Sequence, residues 1–342
     1  MKNLYLLFFI FCIIGCTNKS NSTEKYQNKR DNIVNVHNDI KEIKIDNIEI
    51  GNNANLCLLS DYLIVGDYNS YDKLIHIFNK KTFRYLISVA PFGQGPYEIS
   101  NLGNIVPDEQ HKKFYAPDYG KLKIFSYDLD SVLHNGDSYC PTIKMSMEKR
   151  EFPSEYIYVN DTLCYGLIVK PTGVSGFNQF TAKWNMSTGK IDIMKYAHPE
   201  IHKKRICFTA SLKKGIYVEC YNYHDLMSIL TLDGKLKYNV YGSKWTNKTT
   251  IEISYFGQVE ICKDKILATF LGGKTFSTDE NGVVRSNHPT KIMIFDLNGD
   301  YVKTLETGYK ISHFCYDEDN NRLILNFNDN IQFGYLNMSG LI

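Results

Sequence analysis

Two aspartates stand at matching points in the chain, and they are the first residues whose types and spacing could do chemistry. Asp67 lies in "VGDYNS" and Asp118 in "APDYGK". Carboxylates that meet at one opening would suit metal binding or acid–base catalysis, whereas an aspartate in a turn commonly accepts hydrogen bonds from nearby backbone N–H groups. We favour the turn. The chain has no G-x-S-x-G, H-E-x-x-H or P-loop motif, so the sequence predicts no catalytic residue, no metal site and no cofactor.

Two other groups have the spacing of metal ligands. His198 and His202 lie four residues apart, but Pro199 directly follows the first and argues against the helix that this spacing needs. The segment 317–321, "DEDNN", alternates like a calcium loop but lacks the glycine and the distal glutamate of an EF-hand. We therefore predict a loop at the histidines and a hairpin turn at 317–321.

The segment 91–101, "PFGQGPYEISN", has the glycine density of a phosphate-binding loop. A phosphate cradle needs a helix after the glycines, and here a strand-like run follows. The glycines permit backbone angles that other residues avoid, and a proline fixes one such angle. We predict a structural corner, with Gln94, Tyr97 and Glu98 as candidate ligand contacts.

The elements that must position these residues are β-strands. After residue 33 helical periodicity is nearly absent, and short segments rich in Val, Ile, Tyr and Phe alternate with clusters of Asn, Asp, Gly and Lys. A unit of strand, polar turn and strand recurs six times, and each unit follows another strand pair. The residues just before the six turns are Phe78, Phe125, Trp184, Leu230, Phe295 and Tyr335. Four strands per repeat predict an all-β fold, a six-bladed β-propeller of four-stranded blades.

The last repeat is incomplete. It stops at "NMSGLI", before an outer strand could form, and an open edge there would leave the ring unclosed. The segment 40–50, "IKEIKIDNIEI", alternates cleanly and precedes the first blade. We predict that this N-terminal strand completes the last blade and closes the ring.

One face of such a propeller carries the loops between the second and third strands of each blade, together with the crossings between blades. We term it the long-loop face, and the opposite one the short-turn face. Two loops on it are long, "VKPTGVSGFNQ" and "GGKTFSTDENGVVRSNHPT", and long loops on a rigid scaffold commonly bind ligands. Aromatic side chains in or beside these loops supply contact area at low entropic cost. The candidates are Tyr68, Tyr71, Tyr119, Phe177, Tyr221, Tyr223 and Phe276.

The N-terminus has the sequence pattern of an export signal. The apolar stretch 4–14 is too short for the ~20 residues of a membrane span but fits a secretory signal. Its end, "IIGC", resembles a bacterial lipobox, which implies lipidation of Cys16. We predict a signal peptide over 1–15, a lipidated cysteine and flexible tether over 16–32, and the propeller over 33–342.

Charge and cysteine usage narrow the possible partners. A net charge of +2 argues against a nucleic-acid surface. None of the nine cysteines lies at C-x-x-C spacing, and most of those after the signal lie in apolar runs. We expect few or no disulfides, although Cys207 and Cys220 could face each other across a hairpin.

Residues 92–130 carry a family resemblance. The stretch "FGQGPYEISNLGNIVPDEQHKKFYAPDYGKLKIFSYDLD" resembles a blade of the six-bladed TolB-like and NHL-like propeller lipoproteins of Bacteroidetes. The likeness is strongest over 60–130 and 290–340, and it departs at Tyr97, where that family usually has glycine. It implies the fold and a location in the cell envelope more than it implies an activity.

Two functions are consistent with this sequence. The first is a non-catalytic, lipid-anchored binding module that recognises an envelope protein, a peptide or a glycan on its long-loop face. The alternative is a propeller lyase or hydrolase with a metal or carboxylate site at the channel mouth. Because "CTNKSNS" has no acidic residue directly after the cysteine, we expect an outer-membrane anchor that faces the periplasm. We also expect a monomeric body that contacts the membrane only through its lipid.

Overall fold

The computed structural model of the chain describes residues 22–173 and 176–342. The predicted signal peptide and the predicted lipidation site, Cys16, lie outside the described residues. Within the described part, no helix has the length and apolar character needed to cross a membrane.

The fold is a six-bladed β-propeller whose blades are four-stranded antiparallel sheets. Three short N-terminal strands come first: β1 (Glu24–Gln27), β2 (Ile33–Asn35) and β3 (Lys41–Glu42). The remaining strands are β4 (Ala54–Leu59), β5 (Tyr62–Asp67), β6 (Lys73–Asn79), β7 (Tyr85–Pro91), β8 (Val106–Asp108), β9 (Lys113–Asp118), β10 (Lys123–Asp128), β11 (Thr142–Ser146), β12 (Phe152–Asn160), β13 (Leu163–Pro171), β14 (Phe177–Trp184), β15 (Ile191–Ile193), β16 (Ile206–Ser211), β17 (Ile216–Tyr221), β18 (Leu226–Thr231), β19 (Leu236–Gly242), β20 (Ile253–Cys262), β21 (Lys265–Lys274), β22 (Phe276–Thr278), β23 (Val284–Ser286), β24 (Lys291–Asp296), β25 (Tyr301–Glu306), β26 (Ile311–Asp317), β27 (Arg322–Phe327) and β28 (Phe333–Asn337).

The blades follow one another along the chain. Blades one to four are β4–β7, β8–β11, β12–β15 and β16–β19, blade five is β20, β21, β24 and β25, and blade six is β26–β28 with β3. The innermost strands, β4, β8, β12, β16, β20 and β26, each contact the innermost strands of both neighbouring blades. The six strands therefore surround a central channel. Strands β22 and β23 form a separate hairpin within the long loop of blade five.

The hydrophobic core lies between blades. Every residue of β17 and of β27 is buried, because a middle strand packs on both of its faces against the adjacent blades. One cluster joins Ile64 and Ile77 of blade one to Phe114 and Phe125 of blade two. Burial on both faces explains why several strands are continuously apolar rather than strictly alternating.

The ring closes as the sequence predicts. Lys41 and Glu42 of β3 pair with Tyr335 and Gly334 of β28, and the Ile43 N–H donates to the Phe333 carbonyl at 2.9 Å. An N-terminal strand thus completes the last blade and removes its open edge.

The N-terminal strap, residues 22–36, differs from the flexible segment expected over 16–32. Strand β1 pairs in parallel with β19 of blade four, and β2 pairs in parallel with β25 of blade five. The sequence "EKYQ" shows no apolar pattern because β1 lies on an outer edge, where backbone hydrogen bonds rather than apolar burial hold it. The strap therefore adds a fifth strand to each of two blades.

One predicted turn is a helix. The repeat whose turn follows Phe125, "KLKIFSYDLDSVL", is predicted to be a hairpin, but α1 (Leu129–Asn135) occupies its second half. The outer strand of blade two is β11 instead. Asp128 caps α1 by accepting a hydrogen bond from the Ser131 N–H at 2.9 Å, and Leu129 and Val132 are buried on one side of it. Short 3₁₀ turns span His37–Asp39, Glu109–His111 and Gly136–Ser138.

A candidate binding pocket in the channel

A cavity of about 500 Å³ opens into the channel from the long-loop face. The residues that line the cavity belong mainly to the innermost strands and to the loops beside them on this face. The polar residues that line the cavity come from all six blades or from the loops beside them. They include Asn55, Asn104, Glu155, Asn222, Gln258, Asn287, His288 and His313.

Two amides and a phenol form a network on one side of the cavity. The Asn55 Nδ2 group donates to Asn104 Oδ1 and to Tyr68 Oη, each at 2.7 Å, and Tyr68 Oη donates to Asn104 Oδ1 at 3.0 Å. Burial raises the pKa of Tyr68, which keeps the phenol protonated. Both Asn55 amide hydrogens are used, so its carbonyl oxygen is the group left to accept a hydrogen bond from a ligand.

His313 contributes a neutral imidazole. Its Nδ1 accepts a hydrogen bond from the Leu56 N–H of the next blade at 3.2 Å. Burial lowers the pKa of His313 to about 4, so the ring is uncharged at neutral pH. Because Nδ1 accepts, Nε2 carries the proton and is a hydrogen-bond donor.

Two carboxylates face the channel at different depths. Glu155 lines the cavity, and burial raises the pKa of Glu155 to about 7 against the opposing effect of a hydrogen bond from Asn104. Glu260 lies deeper, where Oε1 accepts from the Tyr316 N–H at 3.3 Å, and burial raises the pKa of Glu260 to about 7 as well. Both side chains are half-buried, but their exposed parts face the enclosed channel rather than bulk solvent, which is why they are strongly desolvated.

The predicted surface residues do lie on the long-loop face. Tyr71 is 91% exposed, and its ring meets Phe92 edge-on with the centroids 6.3 Å apart. Gln94 and Tyr97 are exposed in the corner 91–101. Phe276 is 50% exposed on the β22–β23 hairpin. These four side chains are available to a partner.

Other predicted contacts are committed to the fold. Glu98 accepts a hydrogen bond from the Gly95 N–H at 2.6 Å and so closes the corner. Tyr119 Oη donates to the Ser154 carbonyl at 2.6 Å, and it lies behind the channel wall, as Tyr68 does. The Phe177 ring lies 3.7 Å from the Arg205 guanidinium. These side chains stiffen the face rather than project from it.

Tyr221 and Tyr223 come from the end of the second strand of blade four and the loop that follows. Tyr223 is half-buried. Tyr221 is only 1% exposed and packs with Leu167, Leu226 and Tyr241. Tyr221 therefore belongs to the packing between blades three and four, and its contact with a ligand stays a prediction.

Asp67 and Asp118 stabilise turns, which agrees with the interpretation favoured from the sequence. Asp118 accepts hydrogen bonds from the N–H groups of Ser100, Asn101 and Gly120, each at 3.0 Å. Asp67 accepts from the N–H groups of Gly51 at 2.8 Å and Asn69 at 2.9 Å. Each carboxylate thus ties the end of a second strand to the crossing that leads into an innermost strand.

The other candidate ligands are also structural. His198 Nε2 lies 2.9 Å from the Tyr241 hydroxyl rather than beside His202, and Asp317 in "DEDNN" binds Arg322 at 3.0 Å across a turn. Among residues 22–173 and 176–342, no group of three or more His, Cys, Asp and Glu side chains could hold a metal ion. Cys207 and Cys220 face each other in register across β16 and β17, and both are free thiols.

The residues that line the cavity were missed because they are polar residues inside apolar strands. The signal that could have found them is a polar side chain within the apolar sequence of four of the innermost strands. Examples are Asn55 in "NLCLL", Glu155 in "SEYIYV", Gln258 in "FGQVEIC" and His313 in "SHFCYD".

The fold is similar to solved propeller structures. A member of the DUF4221 family from Bacteroides vulgatus is 9% identical, with a TM-score of 0.58 over 87% of this chain and 94% of that one. A protein from Bacteroides fragilis named as an exported protein is 12% identical, with a TM-score of 0.53 over 90% of this chain and 88% of that one. These likenesses show the fold alone.

The sequence itself gives a family. A search of curated proteins finds no match to the chain. The profile of a family described as a six-bladed β-propeller, DUF5128, matches residues 29–260, which is more than half of the chain. The chain therefore belongs to the DUF5128 family of six-bladed β-propellers.

Proposed function

We propose that this protein is a non-catalytic binding propeller that recognises a protein, a peptide or a glycan through its long-loop face. The observation that carries the proposal is the cavity of about 500 Å³ that opens on this face. Ligand pockets commonly have such a volume and combine apolar walls with a few well-placed polar groups.

The chemistry of the cavity supports a binding role. Asn55 and Asn104 are held by the network with Tyr68, and amide groups can both donate to and accept from a peptide bond or a sugar hydroxyl. Such a preformed arrangement lowers the entropy cost of binding. Tyr71 and Phe276 are exposed on the same face and can extend the contact beyond the cavity.

A location in the cell envelope completes the proposal. The export signal at the N-terminus and the resemblance to TolB-like and NHL-like lipoproteins support an outer-membrane lipid anchor at Cys16, with the propeller in the periplasm. The similarity in fold to a Bacteroides protein named as exported is consistent with this location.

The test is binding of the full-length protein to peptide and glycan arrays. Replacing Asn55 and Asn104 together by alanine removes the amide groups, and we expect the array signals to fall by about tenfold or more, because each lost hydrogen bond contributes about 1 kcal/mol. The matched control is Asn298→Ala, an exposed asparagine in a turn on the short-turn face. It should bind as the wild type does. Equal binding by all three proteins, or binding by none, would contradict the proposal.

A second variant separates the cavity from the exposed hairpin. Replacement of 276–286 by a short Gly-Ser segment removes β22, β23 and Phe276 but leaves Asn287 and His288, which line the cavity. If the cavity is the principal site, we expect this variant to bind the same class of ligand as the wild type on the arrays, but with lower affinity. Complete loss with the hairpin variant and no loss with the double alanine variant would move the site to the hairpin and overturn the assignment to the cavity.

A further inference from the structure

We propose that the cavity takes a primary ammonium group, such as the end of a lysine side chain or the amine of an amino sugar, and that this group binds Glu155. The inference rests on the proposed function and names the ligand chemistry for the same site. It follows from the charge inside the cavity and from the surroundings of one side chain.

The cavity has a negative group and no positive one. Counting only described residues, its lining contains one carboxylate, that of Glu155, and neither lysine nor arginine. The two imidazoles that line it are His288 and His313, and burial lowers the pKa of both below the usual value of 6.5. The cavity therefore favours a cation over an anion at neutral pH.

Glu155 lacks a partner that would neutralise it. Within residues 22–173 and 176–342 no ion pair of Glu155 is found, and the Asn104 amide, which partly offsets the rise in its pKa, is neutral. Buried carboxylates in proteins are normally paired with a cation or bound to a metal, since an isolated charge is costly to desolvate. A fully buried glutamate of blade four, Glu219, is paired in this way with Lys204 at 2.6 Å. A ligand ammonium would supply to Glu155 the partner that Lys204 supplies to Glu219.

The walls around the carboxylate suit the chain that carries an ammonium. Phe208, Tyr255 and Leu271 line the same cavity. An aliphatic stem can pack along such side chains while its charged end reaches the carboxylate, and aromatic rings also attract cations. The chain would enter from the long-loop face, where the cavity opens.

Few other groups near Glu155 titrate near neutral pH. The side chains whose own pKa values respond to its charge are Tyr68, Tyr119 and Cys207, and burial raises all three pKa values further above neutrality. Across the channel, His313 is neutral and Glu260 has a pKa of about 7. A change in affinity through neutral pH that disappears in Glu155→Gln can therefore be assigned to Glu155.

The test compares two probes that differ in one charge. N-acetyl-lysine methylamide carries the ammonium, and N-acetyl-norleucine methylamide has the same stem without it. We expect the full-length protein to bind the lysine probe at least about tenfold more tightly in calorimetric titrations, as for a hydrogen bond between charged groups. Glucosamine serves as a second amine and distinguishes a sugar source from a peptide source.

Variants assign the effect to one carboxylate. Glu155→Gln keeps the size and a hydrogen-bond acceptor, and we expect it to abolish the preference for the lysine probe. Glu260→Gln removes the other channel carboxylate, which does not line the cavity, and should retain that preference. The affinity of the wild type should rise about tenfold between pH 6 and pH 8 as Glu155 ionises, and that of Glu155→Gln should not.

The outcomes distinguish the ammonium inference from the proposed binding function. Equal affinity for both probes, or a preference that survives Glu155→Gln, overturns the ammonium inference. If neutral peptides or glycans then bind and lose affinity in the double alanine variant, the proposed binding function stands without it. If neither the probes nor the arrays give any binding, both are wrong.

Discussion

At the scale of single residues, polar side chains on the channel wall bind the backbone of the next blade. Gln258 of blade five donates to the Phe314 carbonyl at 2.8 Å and accepts from the Phe314 N–H at 2.9 Å. Glu260 and His313 each accept one backbone N–H from a neighbouring blade. An innermost strand has an unpaired edge that faces the channel, so these side chains satisfy groups that would otherwise be left unbonded.

Glu155 is the exception, because it lines the cavity without such a backbone contact, and its titration should make stability depend on pH. The pKa of Glu155 is about 7 in the folded protein against an ordinary value of 4.5. The folded state therefore holds the proton more tightly, and the free energy of unfolding falls as pH rises from 4.5 towards 7. Glu155→Gln removes this penalty. We expect urea titrations to show a gain of about 1.5 kcal/mol near pH 8, discounted for partial exposure, and no gain near pH 4.

The control for this prediction is Glu280→Gln, at an exposed position in the loop of the β22–β23 hairpin. It should leave the free energy of unfolding unchanged at both pH values. If Glu155→Gln and the wild type have the same free energy of unfolding near pH 8, the Glu155 carboxyl is not desolvated as described.

The site residues were predictable only in part, for physical reasons. Exposed aromatic residues in long loops can be recognised from type and position, and Tyr71, Tyr97 and Phe276 are indeed accessible. The lining of the cavity depends on which side chains of an innermost strand reach into the channel. Bulges shift that register in β12 and β20, so alternation alone does not place Glu155 or Gln258.

At the scale of elements, the N-terminal strap joins blade four to blade five. Arg30 is its central contact: Nη1 lies 2.6 Å from Asp225 Oδ1, and the two side chains are only 7% and 3% exposed. The guanidinium also lies 5.3 Å from the centre of the Phe295 ring in the next blade. The strap thus holds an ion pair in the space between two blades.

Removing one partner of this pair should destabilise the protein. Arg30→Met keeps much of the apolar stem but leaves Asp225 as a buried charge without its cation, and we expect a loss of about 3 kcal/mol in the free energy of unfolding. Lys25→Met is the matched control from the same strap, since its partner Asp300 is 63% exposed. It should cost less than about 1 kcal/mol. Equal effects in chemical denaturation would show that the strap is not held by the buried pair.

The elements themselves were largely predictable, because propeller strands carry strong local signals. Short turns such as "LDGK" and "LNGD" mark hairpins by residue type. The strap and α1 were not predicted. Strand β1 has a polar sequence and is stabilised by pairing with β19, which is far away in the chain. Helix α1 has only one turn of apolar spacing after the Asp128 cap, and so short a pattern does not distinguish a helix from a strand.

At the scale of the whole molecule, the ring was predictable because closure is a global constraint. A sixth repeat that lacks its outer strand requires one from elsewhere, and the alternating segment 40–50 was the available candidate. The observed pairing uses only Lys41 and Glu42, so the sequence indicates which segment closes the ring but not how much of it pairs.

The path of the strap also sets how a membrane anchor would orient the propeller. Strand β1 runs parallel to β19, with Glu24 beside Asn239 and Gln27 beside Gly242. Because β19 runs from a short turn towards the long-loop face, the chain enters blade four from the short-turn side. Lys25 contacts Asp300 in a turn on that side. The steps from Cys16 to Ser22 span at most about 20 Å, so lipidation at Cys16 would hold the short-turn face near the membrane and leave the cavity facing away from it.

This orientation can be measured with full-length protein that carries the proposed lipid at Cys16, in vesicles that contain a headgroup quencher. A fluorescent label at Lys213→Cys, in the exposed turn of blade four on the short-turn face, should be quenched strongly, and one at Phe276→Cys on the long-loop face weakly. Both variants are made with Cys140→Ser, because Cys140 is an exposed free thiol. Equal quenching of both labels, or stronger quenching at Phe276→Cys, would contradict this orientation. In the second case the cavity would face the membrane, and lipid headgroups would be its nearest ligands.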